Sequence, residues 1–213
     1  MADELDWTAV QRYLGALVPR REAEMRAMEA HAAEIGFPIV GPVAGQACYL
    51  IARLLRARRV FELGSGYGYS TAWFARAVKE NGGGTVVHAV WDEALSAEAR
   101  EHIGRLGYGE IVRYHVGEAI DALRRERGRF DVIFNDIEKQ DYPASLPVIE
   151  AKLRPGGVLI VDNALWHGRV LDPANTSPGA EGVRELARRL TNGDGWLTTL
   201  LPIRDGLLVA LRR

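Results

Sequence analysis

Apolar residues recur along this chain with two successive periods. Over residues 6–35 the period is helical. Trp7, Val10, Leu14 and Leu17 fall on one face at 3–4 spacing, Pro19 interrupts, and Met25, Met28 and Ala32 continue a stripe on a second helix. The stripe is expected to serve core or dimer packing. Gly36-Phe37-Pro38 ends this arm, and residues 39–46 read as a loop leading into a helix that runs to about Arg56. From Val60 the pattern changes to short apolar runs separated by turn residues and helical stretches. A first strand around Val60 and Phe61 is followed by strands expected at 85–90, 111–115, 130–135 and 158–161. Helices are expected from the Thr71 region and at 95–106, 119–127 and 142–153. Repeated strand–helix alternation predicts a parallel sheet with right-handed crossovers. Residues 196–201 and 207–211 are apolar and separated by Pro202-Ile203-Arg204-Asp205-Gly206, which predicts a hairpin closing one sheet edge. The segment 172–179, with Pro173 and Pro178, is the most irregular and is expected to cover a site.

The expected fold class is therefore α/β: a Rossmann-like, doubly wound sheet, mostly parallel, with a C-terminal antiparallel hairpin and an N-terminal helical arm. One domain is expected over residues 1–213, with residues 1–57 as helical cover and 58–213 as core. A chain of 213 residues can bury a full core of this kind. The formal net charge of −1 provides no global basic field for nucleic acid, though a local patch stays open. The one cysteine, Cys48, excludes an intrachain disulfide and a cysteine-based zinc site; a small core residue on a helix is expected. No apolar run is long enough to span a bilayer. Asp3, Glu4 and Asp6 stand where a secretory leader would be apolar, so a soluble, cytoplasmic protein is expected.

Val60-Phe61-Glu62-Leu63-Gly64-Ser65-Gly66-Tyr67-Gly68-Tyr69-Ser70 is the segment around which the rest is arranged. A strand that feeds a helix through a glycine turn opens a nucleotide crevice in an α/β sheet. Glycine permits positive φ and a close ligand approach, and the helix N-terminus presents free N–H groups. The spacing is G-x-G-x-G, not the dinucleotide G-x-G-x-x-G, and a tight turn without ligand is the competing reading. In a parallel sheet the carboxyl ends of all strands share one edge. Strand two ends near Val90-Trp91-Asp92, strand three leads to Gly117-Glu118-Ala119, strand four ends at Asn135-Asp136 and strand five at Asp162-Asn163. If strands four and five are neighbours, Asp136 and the Asp162-Asn163 pair form a cluster of hard oxygens suited to Mg²⁺, Ca²⁺ or Mn²⁺. Spacing alone equally allows a helix cap and a turn.

Three stretches together resemble successive motifs of one family. They are Phe61 through Ser70, Phe130-Asp131-Val132-Ile133-Phe134-Asn135-Asp136-Ile137-Glu138-Lys139, and Leu153-Arg154-Pro155-Gly156-Gly157 continuing through Asp162-Asn163 to Trp166. They resemble the S-adenosylmethionine-dependent, divalent-metal O-methyltransferases related to catechol and caffeoyl-CoA O-methyltransferases. Gly45-Gln46 and the closing Leu201-Pro202-Ile203-Arg204-Asp205-Gly206-Leu207 are also similar to that family, so the resemblance covers nearly the whole chain. It implies a seven-stranded sheet, and S-adenosyl-L-methionine and a divalent cation, Mg²⁺ first, as cofactors. Asp136, Asp162 and Asn163 would hold the metal, and Lys139 would be the catalytic lysine. Val40, Glu62, Gly64, Gly66, Ser70 and Asp136 would surround the methionine part of the cofactor, with Glu118 and Ala119 near the adenine. Tyr142 and Trp166 would shape the acceptor pocket. The implied partner is a small catechol-like or hydroxylated aromatic acceptor, and a homodimer is expected.

Two departures stand out. The family's acid at the end of strand two, which grips the ribose, falls on Val90, so either Asp92 moves in to replace it or the ribose is held differently. An Asp usual two residues after Asp136 is here Glu138. His88, His102, His115 and His167 have no His or Cys partner at ligand spacing, and among them only His167, beside Trp166, is a candidate substrate contact. A hydroxylated wobble base of tRNA as acceptor, and a cofactor-binding homologue that has lost catalysis, remain alternative readings at this level.

Overall fold

The structure, a computed structural model, describes residues 6–213. Seven strands form one sheet: β1 (Arg59–Leu63), β2 (Thr85–Val90), β3 (Val112–Val116), β4 (Phe130–Asn135), β5 (Leu153–Val161), β6 (Trp196–Leu201) and β7 (Leu207–Arg212). Their order is β3-β2-β1-β4-β5-β7-β6. β1 to β5 pair in parallel, while β7 runs antiparallel to β5 and β6 antiparallel to β7. The short connection from β6 to β7 permits only an antiparallel return, since a parallel one needs a crossover of a dozen residues or more. The expected hairpin forms, with its second strand against β5 and its first at the edge.

Alternate residues of each strand enter opposite layers. Val60, Val86, Val132 and Ile160 belong to one apolar cluster, and Phe61, Val87, Ile133 and Leu159 to the other. Helices α2 (Ala23–Ile35), α3 (Gly41–Leu54), α4 (Tyr69–Glu80) and α5 (Glu93–Arg105) contribute buried residues to the first layer. Helices α6 (Ala119–Arg125), α7 (Tyr142–Lys152) and α8 (Pro178–Asn192) contribute to the second. Cover on both faces is why the strands read as nearly continuous apolar runs. Cys48 is buried within α3, as its composition implied.

Several boundaries differ from the sequence pattern. β5 starts at Leu153 rather than Val158 and so includes Arg154-Pro155-Gly156-Gly157, which the sequence pattern leaves ahead of the strand. There β4 and β5 change register between Phe130 and Val132, and the Asp131 carboxylate accepts from Arg154 Nε at 2.6 Å, which holds the irregular stretch against the sheet. α6 stops at Arg125 rather than Arg127, ahead of Gly128 at φ +75°. The stripe divides between its two helices. Met25 and Met28 of α2 are fully buried, whereas α1 (Trp7–Leu17) buries none of its residues, and Trp7 and Leu17 are exposed. α1 is therefore not core. Segment 172–179 does not cover the cavity described below. The Arg184 guanidinium donates to the carbonyls of Val170 and Asn175 at 3.1 and 2.8 Å and folds it onto α8 instead.

Two glycines set helix placement. A Cβ on Gly45 of α3 would lie 2.2 Å from Trp73 Nε1, so α3 crosses α4 at a point that has no room for a side chain. A Cβ on Gly182 of α8 would lie 2.2 Å from the carbonyl oxygen of Lys139, so α8 rests directly on the backbone of the turn Lys139–Asp141.

Candidate active site

The chain passes outward through β1, β2 and β3, then returns to the other side of β1 for β4 and β5. Ligands of open α/β sheets bind at the carboxyl edge where the order reverses. Here that place lies between Leu63 and Asp136, and the Asp136 N–H donates to the Leu63 carbonyl at 2.8 Å. Gly64 follows at φ +84°, and a Cβ on it would stand 2.5 Å from the Asp136 carbonyl oxygen. A residue other than glycine would collide with β4 and strain the turn. Gly68, at φ +94°, opens α4.

A cavity of about 620 Å³ occupies this edge. One end is bordered by Val40, Gly64, Gly66 and Ser70, and by Glu118 and Ala119 at the start of α6. The other end gathers Asp136, Lys139, Asp162, Asn163 and Trp166. β4 and β5 are neighbours, with Asn135 opposite Val161, which settles that these carboxylates come together. Three of the expected site residues do not line the cavity. Glu62 is wholly buried behind the glycine turn. The Asp92 carboxylate accepts from Leu95 N at 2.9 Å and caps α5, so it does not substitute for an acid at Val90. Val90 itself borders the cavity, and Trp91 stands exposed at its lip. Tyr142 is fully buried. Its hydroxyl donates to the Asp162 carbonyl at 2.9 Å, so it braces the end of β5 from below instead of shaping the pocket wall.

Glu62 lies opposite His88 on β2, which lies opposite Tyr114 on β3. All three point into the layer beneath α4. Burial raises the Glu62 carboxyl to about 7, opposed by the Ser70 and Thr71 hydroxyls and assisted by the charge of Asp136. Burial pushes His88 down to about 3, so it is neutral, and its Nδ1 lies 3.0 Å from the Thr71 hydroxyl. His88 and His102 are structural; His102 Nδ1 meets Glu24 at 2.6 Å.

At the polar end each carboxylate has one cationic partner. Lys139 Nζ donates to Asp136 Oδ1 at 2.7 Å and to the Ile137 carbonyl at 3.1 Å. It also lies over the rings of Tyr142 and Trp166, at 5.2 and 5.6 Å from their centroids. Arg204 Nη1 donates to Asp162 Oδ2 at 2.9 Å. Asp162 is almost wholly buried, and its Oδ1 has no hydrogen-bond partner. Burial and the neighbouring Asp136 charge raise the Asp162 carboxyl to about 7. Asn163 Nδ2 donates to Asp205 Oδ2 at 3.0 Å, which fixes the amide so that its carbonyl oxygen is the end left for another partner. Two carboxylates and a carboxamide oxygen, one oxygen buried and unpaired, fit a hard divalent cation that keeps further positions for other oxygens. Among the described residues no three His, Cys, Asp or Glu side chains are placed to hold a metal ion together, so such an ion would depend on the Asn163 oxygen.

Backbone conformation marks the same place. Asn163, Trp166, His167 and Arg204 all border the cavity and all have left-handed φ, from 46° to 53°. Among the described residues only Arg56 shares that conformation without being glycine. Such conformations cost about 1–3 kcal/mol each and persist where the surroundings enforce them. Here Asp205 does so, since its Oδ1 accepts from His167 N at 2.6 Å. Arg204 and Asp205 were not foreseen as site residues. Their only signal was a charged pair inside a hairpin turn, where polar residues are ordinary. His167, foreseen only as a candidate, does border the cavity.

Known proteins resemble this chain over nearly its whole length. The family model described as O-methyltransferase matches residues 21–213. A catechol O-methyltransferase of Niastella koreensis is 31% identical over 214 residues, covering 95% of this chain and 96% of that protein. The crystal structure of the O-methyltransferase TomG from Streptomyces achromogenes, in complex with SAM, superposes with a TM-score of 0.86 at 30% identity, covering 100% of this chain and 99% of that one. An O-methyltransferase from Bacillus cereus in complex with SAH gives a TM-score of 0.87 at 29% identity, over 97% and 98% of the two chains. With its fold and nearly its full length shared with these enzymes, the chain belongs to the O-methyltransferase family.

Proposed function

We propose that this enzyme transfers the methyl group of S-adenosylmethionine to a hydroxyl of a small catechol-like or hydroxylated aromatic acceptor, assisted by a divalent cation. The observation that carries the reading is the convergence of Asp136, Lys139, Asp162 and Asn163 at one end of a cavity whose other end is the glycine turn. The SAM and SAH complexes of the two similar structures support the choice of cofactor, and the named catechol enzyme supports the acceptor class.

When bound, the cofactor supplies an electrophilic methyl on a sulfonium, and the cation supplies positive charge beside the acceptor oxygen. The chain's residues do the rest. Gly64 and Gly66 border the end of the cavity that would take the methionine part, and Glu62, buried behind the glycine turn, is the acid nearest in the chain to answer its ammonium. Asp136, Asp162 and the Asn163 oxygen form the cation site. Lys139, with one ammonium proton directed to Asp136 and one to the Ile137 carbonyl, has a third left for the cavity. That places the ammonium to steady the phenolate that forms, and the amine, once it has given up a proton to water, to take up the acceptor's hydroxyl proton. Trp166 and His167 border the space for the acceptor ring. Holding the two reactants in line accounts for much of the acceleration in reactions of this type, roughly 7–11 kcal/mol at best.

The test is methyl transfer to a panel of catechols, followed by mass spectrometry, with Mg²⁺ and with chelator. Loss of product with chelator and in Asp162→Ala is expected. Turnover indifferent to both would overturn the role of the cation, and no turnover with any hydroxylated aromatic would overturn the acceptor class. The same reading includes a homodimer. It is supported by the exposed Trp7, Leu17 and Leu54 on α1 and α3, and light scattering at twice the chain mass of 23.5 kDa would confirm it.

A further inference from the structure

We propose that Arg204 is a resident counter-cation that competes with a divalent ion for Asp162, so that this arginine sets how tightly the site binds metal. The proposal rests on the metal-assisted reading above.

The argument begins with charge. Asp136 and Asp162 face one cavity, and each is matched by a single side-chain cation, Lys139 for the first and Arg204 for the second. The pair of acids is therefore already neutralised. A doubly charged ion bound to both carboxylates adds two positive charges beside Lys139 and Arg204, and that excess is reduced when a resident cation withdraws. The two cations differ in how firmly they are held. Lys139 is buried on the short turn beneath α8, bonded to Asp136 and to a carbonyl, and lies over two aromatic rings. Arg204 lies on the β6–β7 connection with 31% of its side chain exposed. Its guanidinium makes one hydrogen bond, to Asp162 Oδ2. It is far more open to water than Lys139, whose side chain is 9% exposed.

The unpaired Asp162 Oδ1 is the second observation. This oxygen is buried beside a guanidinium that reaches only its neighbour Oδ2, so Arg204 satisfies the carboxylate by half. A cation seated against Asp162, Asp136 and the Asn163 oxygen would serve the oxygen that Arg204 leaves out. Arg204 is then a placeholder. It keeps two neighbouring acids, one of them buried, from repelling each other before the ion arrives, and it competes with the ion for the buried one.

The test reads metal binding without turnover. Free Mn²⁺ is followed by electron paramagnetic resonance as it is titrated with the full chain in the absence of cofactor and acceptor. The proteins are wild type, Arg204→Gln, Arg204→Gly and Asp162→Asn. Glycine suits the left-handed backbone at this position, φ 52°, so that variant keeps the turn even if glutamine disturbs it. Both Arg204 variants are expected to bind Mn²⁺ roughly tenfold more tightly than wild type, the effect of removing one charged hydrogen bond to the ligand. Binding in Asp162→Asn is expected to be lost. Measurable affinity that is equal in wild type and in the Arg204 variants, or weaker in the variants, overturns the role of Arg204 and leaves the metal site standing. Absence of Mn²⁺ binding in all four proteins, or binding that survives in Asp162→Asn, overturns both.

Discussion

Asn163 and Asp205 are 42 residues apart in sequence, and the Asn163 amide donates to the Asp205 carboxylate at 3.0 Å. The contact follows from strand order. β7 inserts beside β5, which brings the β6–β7 connection up against the carboxyl end of β5, where Leu165 N donates to the Asp205 carbonyl and Ala164 N to that of Gly206. Asp205 thereby orients a proposed metal ligand without touching the metal position. Asp205→Ala is expected to lower Mn²⁺ affinity by about 10–100-fold, the usual cost of removing a group that orients a ligand. Binding of S-adenosylmethionine alone, read by calorimetry, is expected to change little, since the glycine turn is untouched.

Lys139 acts, in the proposed reading, at the acceptor oxygen and not on the cofactor. Lys139→Met keeps the length of the chain and its packing over Tyr142 and Trp166 but removes the charge. Its kcat is expected to fall by roughly 10²–10⁴, the range for loss of one positioned acid–base group. The dissociation constant for S-adenosylmethionine is expected to stay within a few-fold of wild type. A parallel loss of cofactor affinity would move Lys139 to the cofactor end of the cavity.

The alternation of strands and helices, the glycine turn and the meeting of Asp136 with Asp162 were all readable in the sequence. Each depends on local periodicity or on a rule that strand ends share an edge. The roles of Arg204, Asp205 and Gly182 were not. Each acts through a neighbour far along the chain, and nothing local distinguishes a turn aspartate that holds Asn163 from one that only turns. Asp92 and Tyr142 show the converse. Both stood at positions where chemistry was expected, and each is committed to structure: Asp92 to a helix cap, Tyr142 to the carbonyl of Asp162. The exposed stripe of α1 has the period of a core helix, since periodicity reports an apolar face and not what covers it.

Glu62 predicts a pH dependence whose sign can be worked out. Its carboxyl is raised from about 4.5 to about 7 by burial. Between these values the folded chain keeps a proton that the unfolded chain has lost. The stability tied to that proton is therefore complete below about pH 4.5 and is lost as pH rises through 7, by about 3 kcal/mol in all. Asp162 is raised to about 7 and adds to the same trend, so Glu62→Gln is expected to flatten the profile only in part. Cofactor binding has the opposite slope. An ammonium placed against Glu62 requires the carboxylate, so affinity is expected to weaken below pH 7, by up to tenfold per unit. Calorimetry from pH 6 to 8 checks this, and Glu62→Gln should bind weakly and with no slope.

Gly45 and Gly182 provide a matched pair that separates packing from chemistry. At each, an added Cβ would fall 2.2 Å from a neighbouring atom, the Trp73 Nε1 in one case and the Lys139 carbonyl oxygen in the other. Neither neighbour yields easily, because Trp73 is buried in the core and the Lys139 atom is backbone. Alanine at either position is expected to destabilise by about 1–3 kcal/mol, as overpacking does. In a chain of this length that lowers Tm by roughly 2–4 °C per kcal/mol. Activity should divide them. Gly45→Ala displaces α3 against α4, on the layer away from Lys139, and at a temperature where it is folded and with cofactor saturating its kcat should stay closer to wild type than that of Gly182→Ala. Gly182→Ala pushes α8 off the turn that carries Lys139, and a shift of a fraction of an ångström there moves an ammonium held at 2.7 Å from Asp136. Its kcat should drop by about tenfold or more, in keeping with the sensitivity of positioned groups to small displacements. Equal kcat in the two variants would mean that the turn tolerates the shift and that Lys139 is positioned by Asp136 alone.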